Sequence, residues 1–391
     1  MKRYSLLTIM LVPFFAMAQI NSGDLVTKNG YFEIPFTETK KEIRLKASLK
    51  GEESEFMLDS GAPAFISKEI QEKYKFHYLM RARTRDASGK KMRTDIVTLD
   101  TVKVGPFVFT NIPALVLDMK NSPIGCMGLA GNIGSNILRH LIVQFDLENS
   151  RVALTDQEGL LKQHLTSSGP MHIDGQSDAS FPVKINDDLT DTIHFDSGDG
   201  QLFEISKWKA AQYAAARPAD IVRKGYGTLS MGIGGVGESF QQYVFKPGTI
   251  QVGNTKTTGG TIVIAGNDKS RMGRELFHYG IFQLNYKEST FAFQPYTSYT
   301  SNNYDYGFKL IPDDDVIVAS CVWENAQAEQ LGMTTGDQIL KINDIDFTRL
   351  SRFDMETQAR NALQQNAPSI SVTFKHKKQS PKTITLQKKM L

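Results

Sequence analysis

Two short segments of this chain place an acid at the end of an apolar run and follow it at once with a hydroxyl and a glycine. One reads Phe56-Met57-Leu58-Asp59-Ser60-Gly61-Ala62, the other Ile193-His194-Phe195-Asp196-Ser197-Gly198-Asp199. Cleaving an amide with water needs one group to deprotonate the water and another to protonate the carbonyl oxygen. Two carboxylates held about 3 Å apart can do both, because like charges so close cannot both ionise and one proton is shared. Asp59 and Asp196 are therefore the candidate catalytic pair. Gly61 and Gly198 let two such loops approach without Cβ clashes, and the Ser60 and Ser197 hydroxyls can bind backbone N–H groups across the contact. Asp199 stands where the first copy has Ala62. A third carboxylate there either points to solvent, or raises the working pKa values of the pair, or impairs this copy.

The elements that must position these acids are also written twice. Ile66-Ser67-Lys68 and Ile205-Ser206-Lys207 each open a helix-like stretch. Thr101-Val102-Lys103-Val104-Gly105 matches Thr249-Ile250-Gln251-Val252-Gly253. Ile133-Gly134 matches Met272-Gly273, and each is followed by an alternating strand, a turn and a second strand. The spans Asp59 to Gly134 and Asp196 to Gly273 differ by only two residues. Internal repetition of this kind signals a duplicated architecture. Short alternating strands between Gly, Asn and Asp turns predict a mostly β fold. The repeats occupy residues 31–155 and 173–297, joined by 156–172, and a third unit of different pattern covers 304–388.

The segment Asp59 to Met119 resembles the retropepsin-like aspartic peptidases: Asp-Ser-Gly-Ala, a short helix, a hairpin, then Val104-Gly105 and Asn111-Ile112-Pro113. Two copies in one chain are similar to the pepsin-type enzymes. The resemblance implies two homologous β-barrel lobes, with Asp59 and Asp196 as the dyad and Ser60, Gly61, Ser197 and Gly198 supporting it. Flap hairpins would fall near Asp86-Ala87-Ser88-Gly89-Lys90 and Gly232 to Gly237, with Ser88, Gly89, Gly234 and Gly235 at the tips. An extended polypeptide substrate would lie beneath them, and no cofactor is implied. The alternative is a duplicated barrel that binds peptides without cutting them, a scaffolding protein of the cell envelope.

Residues 304–388 resemble a PDZ domain. Tyr306-Gly307-Phe308-Lys309-Leu310 is similar to the loop and strand that receive a peptide's C-terminus, and Gly336-Asp337-Gln338-Ile339-Leu340 to the turn and strand that follow. The resemblance implies strand addition, with Tyr306, Gly307, Phe308 and Leu310 as the binding residues and backbone N–H groups near Gly307 holding the carboxylate. A packing module that only braces the lobes is the alternative.

Other signals bound the function. Lys2-Arg3, an apolar run and Ala16-Met17-Ala18 have the layout of a secretory signal peptide over residues 1–18, so the mature chain is expected to be periplasmic or secreted, with no integral membrane segment. Removing Lys2 and Arg3 takes two charges from a formal net charge of +3, which argues against nucleic acid as a partner. Cys126 and Cys321, the two cysteines, can build neither a disulfide framework nor a zinc cluster, and the histidines lack metal-ligand spacing, so no metal is expected. Gly232-Ile233-Gly234-Gly235-Val236-Gly237 fits a dinucleotide pattern, but a strand follows it, which reads as a hairpin tip. His194 shares a strand face with Asp196, and a structural role is expected for it. A Ser/His/Asp hydrolase lacks its nucleophile elbow.

Overall fold

A computed structural model describes residues 20–36, 42–120, 122, 128–258, 263–266, 268–296, 304–364, 367–377 and 379–391. The expected leader at residues 1–18 and Cys126 lie outside the described residues. The chain is mostly β.

In the first half, Glu52–Asp59 (β1) runs from solvent into the interior. Its first four residues are exposed or half-buried and its last four are buried, so Asp59 ends the strand inside the protein. Phe65–Ser67 (β2) leads into Lys68–Tyr74 (α1), where the Ser67 hydroxyl caps the helix by accepting from the Ile70 N–H. His77–Arg85 (β3) and Lys91–Val104 (β4) form a long hairpin. Gly131–Gly134 (β5) lies parallel to β1, with Met57 opposite Asn132 and Asp59 opposite Gly134.

The second half repeats these devices. Leu189–Asp196 (β6) ends on its acid. Phe203–Ile205 (β7) leads into Lys207–Ala216 (α2), capped by Ser206 through the Lys209 N–H. Ile221–Gly227 (β8) pairs with Phe240–Phe245 as the second hairpin arm. Arg271–Gly273 (β9) lies parallel to β6, with His194 opposite Arg271 and Asp196 opposite Gly273.

The halves meet in a six-stranded sheet, where Ile142–Asp146 of the first pairs antiparallel with Gly280–Asn285 of the second. Gln144 sits opposite Gln283 at the centre of that pairing, and its Nε2 donates to Gln283 Oε1 at 2.9 Å. Beneath the acids the two halves share one apolar core. Phe145 stacks on Phe277 with ring centroids 4.3 Å apart, and Phe195, one residue before Asp196, packs at 4.4 Å from Phe282. Each fully buried aromatic of this kind contributes about 1.5–3 kcal/mol, so the seam is a core and not a hinge.

Residues beyond 304 bury their own apolar cluster, which includes Phe308, Ile317, Ile339, Val372 and Leu386. Phe308–Asp313 (β10) pairs with Val316–Trp323 (β11), and the helix Arg352–Gln364 (α3) packs on both. The sequence reads as a boundary near Tyr304, yet hydrogen bonding crosses it. Gly225, Tyr226 and Gly227 of β8 pair with Trp323, Val322 and Cys321 of β11, making one sheet of the second half and the C-terminal unit. Gly225 is required there, because a Cβ would stand 2.7 Å from the Val322 carbonyl oxygen. Arg223 Nε and Nη2 grip the Asp305 carboxylate, each at 3.0 Å, with side chains only 11% and 2% exposed.

Removing one partner of a buried ion pair strands the other charge. Arg223→Met is expected to lose on the order of 3–5 kcal/mol in a chemical denaturation experiment. A loss within the error of the extrapolation would mean that the junction is wet and contributes little.

Candidate active site

The two Asp-Ser-Gly loops interlock through their serines. The Ser60 N–H donates to Ser197 Oγ at 3.0 Å, and the Ser197 N–H donates to Ser60 Oγ at 3.0 Å. Each hydroxyl then donates across the contact, Ser60 Oγ to the Phe195 carbonyl at 3.2 Å and Ser197 Oγ to the Leu58 carbonyl at 3.3 Å. All four bonds are buried, so every polar group of the crossing is satisfied. The glycines keep the approach close. A Cβ on Gly61 would lie 2.2 Å from Asp196 Cγ, and one on Gly198 would lie 2.9 Å from Asp59 Oδ1 and 3.1 Å from Asp196 Oδ1.

This arrangement brings the Asp59 and Asp196 carboxyl groups within hydrogen-bonding reach of each other. The Gly61 N–H donates to Asp59 Oδ1 at 3.0 Å, and the N–H groups of Gly198 and Asp199 donate to Asp196 Oδ1 at 2.9 and 3.2 Å. Burial first, and the Asp196 charge second, hold the Asp59 carboxyl well above the usual range, against the pull of the Gly61 N–H and Asn132. Two carboxyls this close share one proton, so the pair can present both an acid and a base to one point in space.

Asp199 is half-buried. Its Oδ1 accepts from the Gln201 N–H at 2.8 Å, and its carboxyl is pushed up to about 6 by burial and by the Asp196 charge, with Arg271 and Arg274 opposing. Glu204, unforeseen from sequence, is buried and pushed up to about 8 by burial and by Asp199. Arg271 Nη1 stands 4.0 Å from Glu204 Oε2, and Arg274 Nη1 donates to the Gly198 carbonyl at 3.0 Å. The repeat held the signal that finds these residues. Glu204 immediately precedes Ile205-Ser206, and Arg271 immediately precedes Met272-Gly273.

The expected flap tips meet above the loops. Asp86 Oδ1 closes its own turn by accepting from the N–H groups of Ser88 and Lys90 and from Ser88 Oγ, with Gly89 at φ +84°. Asp86 Oδ2 accepts from the Gly234 N–H at 2.6 Å, and Lys90 Nζ donates to the Gly234 carbonyl at 3.0 Å. The second tip is a small hairpin in which Met231–Gly232 pairs with Gly235–Val236, so the glycine-rich pattern opens no helix. His194 Nδ1 lies 2.7 Å from Asp178 Oδ2, the same oxygen that Lys269 Nζ approaches at 3.5 Å. Among the described residues, no group of three or more His, Cys, Asp or Glu is arranged to hold a metal ion, and no helix is long and apolar enough to cross a membrane.

In the C-terminal unit, Tyr306 is buried with its hydroxyl donating to the Ala367 carbonyl at 2.6 Å, Phe308 is buried, and Leu310 is half-buried on β10. The Gly307 N–H donates to Asp305 Oδ1 at 3.1 Å. Among the described residues β10 pairs only with β11, which leaves its outer edge unpaired.

Residues 45–130 match the Aspartyl protease family. That segment runs from the strand before β1 to the approach of β5, and it gives the chain an aspartic-peptidase-like fold around Asp59. No curated protein matches the chain. Among solved structures, it is similar to basic 7S globulin from soybean, at 10% identity and a TM-score of 0.38 over 68% of this chain and 95% of that one. It is also similar to a retropepsin-like aspartic protease from Rickettsia conorii, at 20% identity and a TM-score of 0.24 over 34% of this chain and 93% of that one.

Glu204 links the site to stability. With its folded value near 8 above the ordinary 4.5, the folded state holds this proton more tightly than the unfolded chain. The contribution is complete below about pH 4.5 and is lost as pH rises through about 8. Glu204→Gln is expected to flatten that decline, which melting temperatures between pH 4.5 and 8.5 measure. An unchanged slope would place the titration elsewhere.

Proposed function

We propose that this chain is an aspartic endopeptidase, exported from the cytoplasm, that hydrolyses extended polypeptides in the cleft between its two loops and its flaps. The observation that carries the reading is the reciprocal Ser60–Ser197 crossing, which holds two carboxyls in contact from opposite halves. One carboxylate of the pair takes a proton from a water lying between the carboxyls while the other carboxyl gives its proton to the carbonyl oxygen of the scissile amide. The water oxygen bonds to the carbonyl carbon and yields a neutral tetrahedral diol. The carboxyl that gained the water's proton then passes it to the amide nitrogen while the other carboxylate takes a proton from one diol hydroxyl, so the C–N bond breaks, leaving an amine and a carboxylic acid and restoring one shared proton. The C-terminal unit is a PDZ-like module whose β10 edge pairs with an extended chain.

A second reading, a peptide-binding protein without turnover, draws on Asp199 and on the tie between Asp86 and Gly234, which must open before a peptide enters. Asp59→Asn and Asp196→Asn separate the two. Each is expected to lower the cleavage rate of a denatured protein substrate by at least about 10³-fold while leaving the melting temperature close to that of the parent. Cleavage that persists in either variant overturns the dyad assignment, and absence of cleavage in the parent between pH 3 and 8 favours the binding protein.

A further inference from the structure

The two walls of the cleft occupy equivalent places in the repeat and differ in chemistry. Alternation along a strand puts Met57 on the side of Asp59 and His194 on the side of Asp196. These two residues hold the same station, opposite Asn132 in the first half and opposite Arg271 in the second. Phe65 pairs with Asn132, and Glu204 pairs with Arg271. Ala62 follows the first Asp-Ser-Gly and Asp199 the second. Four apolar or neutral residues on one side thus face four ionisable ones on the other.

On the Asp59 side, Met57 and Phe65 belong to a small apolar cluster with Leu117 and Leu129 that is separate from the main core. Ile233, from the tip of the second flap, packs against it half-buried. The cluster is therefore roofed by the part of the protein that has to lift, and lifting removes the apolar side chain that covers it.

On the Asp196 side positive charge is in short supply. The Arg271 guanidinium is shared by Asp196, Glu204, Asp199 and Asp178. Arg274 is committed in part to the Gly198 carbonyl, and Lys269 stands against Asp178 beside His194. The raised values of Asp199 and Glu204, set first by burial and then by the neighbouring acid charges, agree with this.

Resting on the reading of this cleft as a peptide site, we propose that it takes a chain with a large apolar side chain on the Asp59 wall, in the place Ile233 now fills, and a lysine or arginine side chain on the Asp196 wall, facing Asp199 and Glu204. A cation there supplies the missing charge, and an acidic side chain adds a further like charge to a buried group.

Binding tests this without requiring turnover. Fluorescein-labelled peptides Ala-Ala-Leu-X-Ala-Ala and Ala-Ala-X-Leu-Ala-Ala, with X as Lys, Leu or Glu, are titrated at pH 7 with the full chain carrying Asp59→Asn. In one of the two orders, Lys is expected to bind about tenfold more tightly than Leu, and Leu more tightly than Glu. Adding the isosteric pair Asp199→Asn and Glu204→Gln, with folding checked by circular dichroism, is expected to bring Lys and Leu within about twofold of each other. Equal binding of Lys and Leu in both orders overturns the proposal, as does a lysine preference that survives the pair of substitutions. If the lysine preference holds while the parent chain cleaves nothing, the specificity stands and the hydrolase reading falls.

Discussion

Everything else in this structure answers to one crossing, in which two serines exchange N–H and hydroxyl bonds between loops from opposite halves of the chain. Those four hydrogen bonds bring the loops so close that a side chain at Gly61 or Gly198 would run into the carboxyl of the opposite half. The crossing also demands that two acid-bearing strands end at the same point. β1 and β6 satisfy this by running parallel to β5 and β9 in matching register. Below, the Phe145–Phe277 stack and the Gln144–Gln283 bond fix the halves to each other. A burial that would be costly for one isolated carboxylate becomes tolerable for two that share a proton.

Duplication supplies symmetry, and the chain then departs from it where substrate would lie. Both halves need the same backbone to present an acid, so strand register, helix caps and the glycine positions are kept alike. The side chains flanking the acids carry no such constraint. Asn132 and Arg271 sit at one station of the repeat, yet the first is neutral and accepts from the Phe65 N–H while the second brings a full charge into a half-buried wall. A symmetric dimer of identical subunits could not make that distinction, because every substitution would appear on both sides.

Much of the frame was legible in the sequence, because strands that must meet a partner of fixed shape keep a periodic apolar pattern. The Asp-Ser-Gly loops, the serine-capped helices and the glycine-rich hairpin at Gly232 to Gly237 all declare themselves in this way. The charged wall did not, although its residues stand next to landmarks already matched. Glu204 and Arg271 differ from Phe65 and Asn132 in type, and a comparison that looks for likeness stops at the residue where likeness ends. The Arg223–Asp305 pair was hidden for another reason, since partners so far apart in sequence and drawn from units of unlike pattern leave no local trace. Gly307 has the left-handed turn that its glycine foretells, and Asp305, two residues before it, accepts from its N–H.

The ladder between β8 and β11 also decides how this protein can be divided. β8 carries the second flap at its far end, and its other edge pairs with Phe240–Phe245. An excision ending before residue 304 would bare the amides and carbonyls of Gly225 to Gly227, strip the cover from Val244, which packs with Trp323, and leave Arg223 without its counter-ion. Such a fragment would offer other molecules an open β-edge to zip onto, and its insolubility would say nothing about the competence of the cleft.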